Sequence, residues 1–599
     1  MKVLYGILLS CTFCCAKEDF VPLSIVVNFG SYKSAEKAAF DEENVNWRDD
    51  QLEDDTVCTE CFAACELAHY LRKIVGSSDL VRIIDDESVL PSNLILLGNP
   101  SSNRAISFFL KKAGIGRKDF EGLGSQGYLI RSFREKDRRV VIIGGKERVG
   151  TLYGVYHFLH MLGVRWYAPG EINEEVPCRQ LTFPGGLKIR ERPKFVLRGF
   201  HAWEDRADEE FLLWMARNRL NYWCVQQAQK ALLHKLGILL EGGGHVLTWY
   251  YLNPHAPYPY DHPIFKGDED KEKDPYPVSP EYKGDTDKDG VLTYFEAHPE
   301  WYGLRGGKRS DNIRGDFGDN FCTSNPYAVA EWTKNAVEDL ISGRYRDADI
   351  INAWTLDGGR WCECERCKAL GTPTDRNILL VHSYAKAIKR AQAEGRLKRP
   401  VKLLFLAYAD VINPPTRPLP KDFDYEMCIA TFFPIVRCYV HAFNDPSCSV
   451  NTSYRKKLYG WILDPKRYYK GQLCIGEYYN VSGYKCLPIC FMHTMAKDIP
   501  YYYKIGARYF HYMHVTTRNW GNKALTNWQL ARQLWNPDEN CEELWADYFS
   551  GRYGAAAAKM RLFYENLEKM LCNVSEIKYG LARRLARGSK DLFPNAHLR

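Results

Sequence analysis

Residues 351–367 read INAWTLDGGRWCECERC. The segment opens as a buried, mostly apolar strand that starts near Asp349, runs through Ile350, Ile351, Ala353, Trp354 and Leu356, and stops at Asp357. Gly358 and Gly359 then free the backbone to turn, and three cysteines follow in C-x-C-x-x-C spacing. A carboxylate at the carboxyl end of a buried strand, with glycines behind it, is how βα-barrel enzymes present a catalytic acid. A strand closed by an ordinary Asp-Gly turn is the plain alternative, and the surrounding chain decides between them.

Outward from this segment, strand-like runs alternate with helical ones from about residue 195 onward. Eight runs have strand character: 195–200, 221–225, 237–241, 350–356, 403–408, 428–433, 473–477 and 509–514. Helical periodicity falls between them at 209–217, 378–393 and 497–505. Eight alternating strands predict a closed (β/α)8 TIM-like barrel over about 191–525. A stretch rich in Asp, Pro, Tyr and Gly, 246–345, is then a loop on the catalytic face, and 526–599 a helical C-terminal region. The polar residues at the strand ends are His201, Trp203 and Glu204, Gln226, Glu241 and His245, Asp357, Tyr408 and Asp410, Arg437 and His441, Glu477, Tyr478 and Tyr479, and His514. Their joint placement at one end of a barrel is the evidence for a site.

Residues 20–190 form a separate small α/β sandwich domain on this reading. Strands fall at 23–28, 93–98 and 139–145, and helices at 60–75 and 150–159. A double glycine precedes the last helix, yet G-x-G-x-x-G and G-K-[ST] are both missing, so a nucleotide site is not expected. The first 19 residues, MKVLYGILLSCTFCCAKED, read as an export signal. Leu8 to Cys11 resembles a lipobox that would leave Cys11 lipidated, and cleavage near Ala16 is the alternative. The expected location is periplasmic, extracellular or lipid-anchored at the cell surface, with a lipid anchor as the one membrane contact.

Composition narrows the function. The 599 residues carry 81 Lys plus Arg against 74 Asp plus Glu, without long basic runs, so no nucleic-acid partner is expected. The 15 Trp and 38 Tyr suit sugar stacking as well as core packing. Twenty cysteines in an exported chain fit disulfides. Cys322, Cys362, Cys364, Cys367, Cys438 and Cys448 gather in the middle of the chain as structural cysteines. The C-x-C-x-x-C cluster with a fourth thiol such as Cys322 also suits structural zinc. Separately, Asp285, Asp287, Asp289, Gly290 and Glu296 meet the EF-hand loop pattern, with a backbone oxygen from Val291, which suits structural calcium. No cofactor is expected for catalysis.

The word order of 144–171, GGKERVGTLYGVYHFLHMLGVRWYAPGE, resembles the end of the small domain that precedes the barrel in family 67 α-glucuronidases and family 20 β-hexosaminidases. There the domain is structural. Farther on, GGGHVLTWYY (242–251), TYFEAHPEWYGLRGGKR (293–309), FCTSNP (321–326), LDGGRWCECERC (356–367) and FFPIVRCYVHAFNDPSCSVN (432–451) resemble the bacterial family called domain of unknown function 4838, as does the tail 528–560. The resemblance implies a β-hexosaminidase-like first domain, a barrel and carbohydrate metabolism.

Glycoside hydrolysis needs a carboxylic acid to protonate the leaving oxygen and a second carboxylate, or a substrate acetamido group, opposite it. Asp357 and Glu477 are the expected catalytic pair. Family 20 enzymes place consecutive Asp and Glu after strand four; here Gly358 follows Asp357, against a substrate-assisted mechanism. His201, Trp203, His245, Trp354, Tyr408, Arg437, His441, Tyr479 and His514 are the expected sugar-binding residues, Arg437 being suited to a uronate carboxylate. The reading is an exported glycosidase acting on terminal uronides or N-acetylhexosaminides, with a non-catalytic carbohydrate-binding protein as the alternative.

Overall fold

A computed structural model describes residues 22–91, 93–179, 185–201, 206–224, 229–314, 317–479, 490–513, 517, 520–521 and 523–571. The export signal therefore lies outside the described residues. The chain divides into two compact units, one ending at Trp166 and resuming over Gly170–Arg192, the other comprising Tyr167–Pro169 and everything from Pro193.

The first unit is a six-stranded sheet with helices on both faces. Its strand order is Val81–Asp85, Leu23–Val27, Asn93–Leu97, Arg138–Gly145, Tyr128–Glu135, Lys188–Glu191, the first four parallel and Tyr128–Glu135 antiparallel to both of its neighbours. One face packs Val26, Leu94, Leu96, Val140 and Ile142 against Ile106 and Phe109 of helix Arg104–Ala113. Helix Leu52–Val75 packs with helix Arg148–Met161, which is buried on nearly every side. The double glycine finds its reason here: a Cβ at Gly144 would stand 1.7 Å from the Gly98 carbonyl oxygen, and one at Gly145 would stand 2.6 Å from Gly150 Cα. Close backbone approach, rather than a phosphate, is what these glycines serve.

The second unit is a closed parallel barrel in the order expected from the sequence: Leu197–Phe200, Tyr222–Cys224, Leu239–Gly243, Ile350–Ala353, Lys402–Ala407, Cys428–Phe432, Leu473–Glu477 and Ala507–Tyr512. Leu197, Tyr222, Ile350, Leu404, Ile429, Cys474 and Tyr509 form one interior layer, drawn from seven of the strands. Side chains alternate across a strand, so residues two positions on from these face the axis at the carboxyl end. That places Gly199, Asn352, Leu406, Thr431, Gly476 and His511 inward.

The expected loop 246–345 has internal structure. It holds the hairpin Gly303–Arg305/Lys308–Ser310 and ends in a true barrel helix, Pro326–Ile341. Asn325 caps that helix by accepting the N–H of Tyr327 and Ala328, and Pro326 sits in its first turn, where no N–H is required. Helices Lys523–Trp535, Cys541–Tyr553 and Ala557–Leu571 follow the eighth strand. Among the described residues no helix is long and apolar enough to cross a membrane.

Candidate functional site

The carboxyl end of the barrel holds a buried polar floor. Glu241, on the third strand and 3% exposed, accepts hydrogen bonds from Tyr222 on the second strand and, at 2.6 Å, from Asn352 Nδ2 on the fourth. His201 Nδ1, just past the first strand, lies 2.6 Å from its other oxygen. His511 Nδ1, from the eighth strand, is 3.2 Å from the Tyr222 hydroxyl. Five strands thus converge on one carboxylate. Burial opposes its charge, but His201 and His511 beside it, with the hydrogen bonds from His201 and Asn352, hold Glu241 below the usual carboxylate range.

Above the floor, half-buried groups line the approach: His245 after the third strand, Asp357 after the fourth, Tyr408 and Asp410 after the fifth. His245 Nδ1 is 2.6 Å from the Thr355 carbonyl oxygen, and its ring lies 5.0 Å from Trp354 and 6.1 Å from Tyr408. Trp354 stands edge-on to Phe433 at 5.5 Å, and Phe433 faces Tyr408 at 6.2 Å. These rings make an aromatic wall of the kind that receives a sugar's apolar face. The Asp410 carboxylate accepts the Trp361 indole N–H at 2.6 Å. Burial pushes Asp410 up to about 6, the Trp361 hydrogen bond opposing and the Asp357 charge adding to the rise. The Asp357 carbonyl accepts the Phe317 N–H at 2.8 Å, joining two loops of this face.

Glu477, expected as the catalytic partner of Asp357, is placed elsewhere. It alternates out of register with the inward-facing Cys474 and Gly476, so it points away from the axis toward helix Met492–Lys504. Its side chain is wholly buried: Oε1 accepts from Arg437 Nη1 at 2.8 Å and from the Tyr502 hydroxyl, and Oε2 accepts from the Tyr439 hydroxyl at 2.8 Å. Arg437 Nη2 pairs in turn with Asp498 at 2.8 Å, and Tyr479 donates to Asp498 at 3.0 Å. Burial raises Glu477 and Asp498, which share a single guanidinium, above the usual carboxylate range. The structure thus places Glu477, expected as a catalytic carboxylate, together with Arg437 and Tyr479, expected as substrate contacts, in a closed ionic core behind the barrel wall, where every charged group already faces a partner. His441, half-buried, lies beside this core with Nδ1 3.4 Å from Cys438 Sγ. Trp203 and His514 lie outside the described residues.

Four groups of side chains have metal-ligating chemistry: Cys322, Cys362, Cys364 and Cys367; Cys438, His441 and Cys448; His201, Glu241 and His511; and Asp285, Asp287 and Asp289. In the last, Asp285 accepts the N–H of Lys288 and Gly290, and Asp289 that of Val291. Glu296, expected at the twelfth ligand position, instead accepts from the N–H and hydroxyl of both Thr286 and Thr293, closing a capping box on helix Tyr294–Ala297. No two described cysteines are joined by a disulfide.

Asp410 and Glu241 stood among the strand-end polar residues without a catalytic or binding role, and Asn352, Tyr222 and His511 were missed. The signal for Asn352 and His511 was strand parity, since each lies two residues from an interior apolar position.

The sequence profile described as domain of unknown function (DUF4838) matches residues 168–566, and that of the glycosyl hydrolase family 67 N-terminus matches residues 32–158. No curated protein matches the chain in sequence. Among solved structures the chain is similar in fold to a family GH115 4-O-methyl-α-glucuronidase, BtGH115A, with specificity for decorated arabinogalactans. The identity is 12% and the TM-score 0.51, over 92% of this chain and 61% of that one. A family 89 glycoside hydrolase from Clostridium perfringens aligns over 90% of this chain and 56% of its own, at 10% identity and a TM-score of 0.43. The chain thus spans about three fifths of the length of these structures.

Proposed function

We propose that this chain, which belongs to the DUF4838 family, is a glycosidase that removes terminal sugars, uronides first among them, from glycans outside the cytoplasm. The observation that carries this reading is Asp410, a half-buried carboxyl pushed up to about 6, in the turn that follows the strand next to the one that presents Asp357. A carboxyl raised to about 6 is protonated in mildly acidic solution, where an ordinary aspartate is not, and can deliver that proton to a glycosidic oxygen. Asp410 is the general acid in this reading, and Asp357 the base or nucleophile.

Trp354 and Tyr408 stack on the ring, His245 meets its polar edge, and the Glu241 floor holds His201 beneath. The barrel with its family 67-type first unit supports glycoside chemistry, and the α-glucuronidase named above supports uronides as the first substrates to try. The export reading of the amino terminus supports a glycan substrate met outside the cytoplasm.

The test is hydrolysis of aryl glycosides and uronic-acid oligosaccharides by the full chain and by Asp357→Asn and Asp410→Asn. Turnover by the unsubstituted protein with at least a hundredfold loss in both variants supports the assignment. Sugar binding without turnover across the panel would replace it with a binding protein.

A further inference from the structure

The cysteine cluster lies beside the candidate site and is not used by the chemistry just proposed. Cys322 lies in the long segment between the third and fourth strands, 12 residues past the hairpin strand Lys308–Ser310. Cys362, Cys364 and Cys367 come from the segment after the fourth strand, which also presents Asp357. The four sulfurs all lie within 4.8 Å of one another, with Cys322, Cys362 and Cys367 no more than 2% exposed. Cys322 Sγ is 3.8 Å from Cys364 Sγ and 3.7 Å from Cys367 Sγ.

Those separations distinguish two chemistries. A disulfide brings sulfurs to about 2.05 Å, and joining Cys322 to either neighbour would draw the pair together by well over an ångström. A tetrahedral zinc with Zn–S bonds of about 2.3 Å sets its four sulfurs about 3.8 Å apart. The cluster has that tetrahedral edge.

Its surroundings suit thiolates. The Leu304 N–H points at Cys362 Sγ at 3.3 Å and the Cys367 N–H at Cys364 Sγ at 3.4 Å. The Ser324 hydroxyl lies 3.2 Å from Cys367 Sγ and 3.6 Å from Cys364 Sγ. The two backbone N–H groups aimed at sulfur lower the cost of the net negative charge that four thiolates keep around one divalent cation, and the Ser324 hydroxyl is near enough to donate once the thiols have lost their protons. A C-x-C-x-x-C triplet completed by a distant fourth cysteine leaves no open coordination position, which marks a structural rather than a catalytic site.

From this geometry we infer that Cys322, Cys362, Cys364 and Cys367 bind one structural zinc ion that fastens the long segment to the loop presenting Asp357. The two segments also meet through Phe317 N–H to Asp357 O at 2.8 Å, Asn320 N–H to Arg360 O at 2.8 Å, Glu363 N–H to Leu304 O at 2.9 Å and the Arg360–Asp319 ion pair at 2.8 Å. The metal locks a contact the backbone has already begun. Its loss is therefore expected to loosen the Asp357 loop before the barrel unfolds.

Metal analysis of the full chain purified without added metal, joined to mass spectrometry after alkylation under non-reducing conditions, tests this. One zinc per chain supports the inference, as does a cobalt-substituted protein with the intense thiolate-to-cobalt absorption of a tetrahedral sulfur site. Cys364→Ser should lower the zinc content and the melting temperature, whereas Cys178→Ser, at an exposed cysteine, should keep both. If Cys364→Ser fails to fold, the cobalt spectrum of the unsubstituted chain still decides. Two disulfides among the four cysteines, or four alkylatable thiols with no metal after incubation with zinc, would overturn it.

Discussion

The Trp361 indole N–H donates to Asp410 Oδ2 across 2.6 Å, so a residue four positions past Asp357 tempers the acidity of the carboxyl that follows the neighbouring strand. That bond stabilises the ionised form, while burial and the Asp357 charge favour the protonated one. The balance leaves Asp410 at about 6.

If Asp410 must be protonated to act, kcat should fall as pH rises through about 6. Trp361→Phe deletes the one side chain that stabilises the carboxylate, so the alkaline limb should move to higher pH with the acid limb unchanged. The pH–rate profiles of the two proteins, taken under saturating substrate, check this. A limb that stays in place in Trp361→Phe would dismiss Asp410 as the group responsible.

The ionic core predicts a different phenotype for Glu477. Arg437→Met leaves Glu477 and Asp498 buried without their cation, and breaking such a pair costs roughly 3–5 kcal/mol. Glu477→Gln keeps the volume but leaves Arg437 with Asp498 alone. Both should lower the urea midpoint, Arg437→Met more, while the molecules that remain folded keep near-normal kcat. Loss of kcat in Glu477→Gln at unchanged stability would return that residue to the active site.

The barrel was legible because its strands are runs of buried apolar residues at spacings only a βα repeat produces, and all eight appear within a few residues of their expected places. The site was less legible. Asp357 and Glu477 both end apolar strands, and nothing local separates a carboxylate that faces a cleft from one that faces a helix. Parity could have separated them, because Glu477 is out of step with Cys474 on its strand. Its partners Arg437 and Tyr502 lie 40 and 25 residues away, at distances no local pattern encodes. Parity would likewise have preferred His511, two residues past the interior Tyr509. The helix Pro326–Ile341 was hidden because it ends a stretch whose Asp, Pro and Gly content dominates the window.

Glu241 is expected to act through the groups it holds. Asn352 and Tyr222 share Glu241 Oε2, so Glu241→Gln can keep its amide oxygen toward both, but its NH2 then replaces the oxygen that meets His201 Nδ1, and losing that charge-assisted bond costs roughly 1–3 kcal/mol. His201, whose ring is fixed through Nδ1, would turn. Turnover should fall more than substrate affinity, with the stability loss visible in urea unfolding. Neither effect in a folded Glu241→Gln protein would show the floor to be dispensable.

Gly476 tests the aromatic wall from behind. A Cβ there would stand 1.9 Å from two Phe433 ring carbons, a contact relieved only by moving that ring. Phe433 packs on Trp354 at 5.5 Å, on His511 at 5.6 Å and on Tyr408 at 6.2 Å, so its displacement carries into the sugar-stacking surface. Overpacking of this kind costs about 1–3 kcal/mol. Gly476→Ala should therefore lower the melting temperature and raise KM together. Gly116→Ala, in the first unit where an added methyl meets nothing within 4 Å, should leave KM unchanged. An unaltered KM in a folded Gly476→Ala protein would mean that substrate does not rest on the Trp354 and Tyr408 side of the barrel mouth.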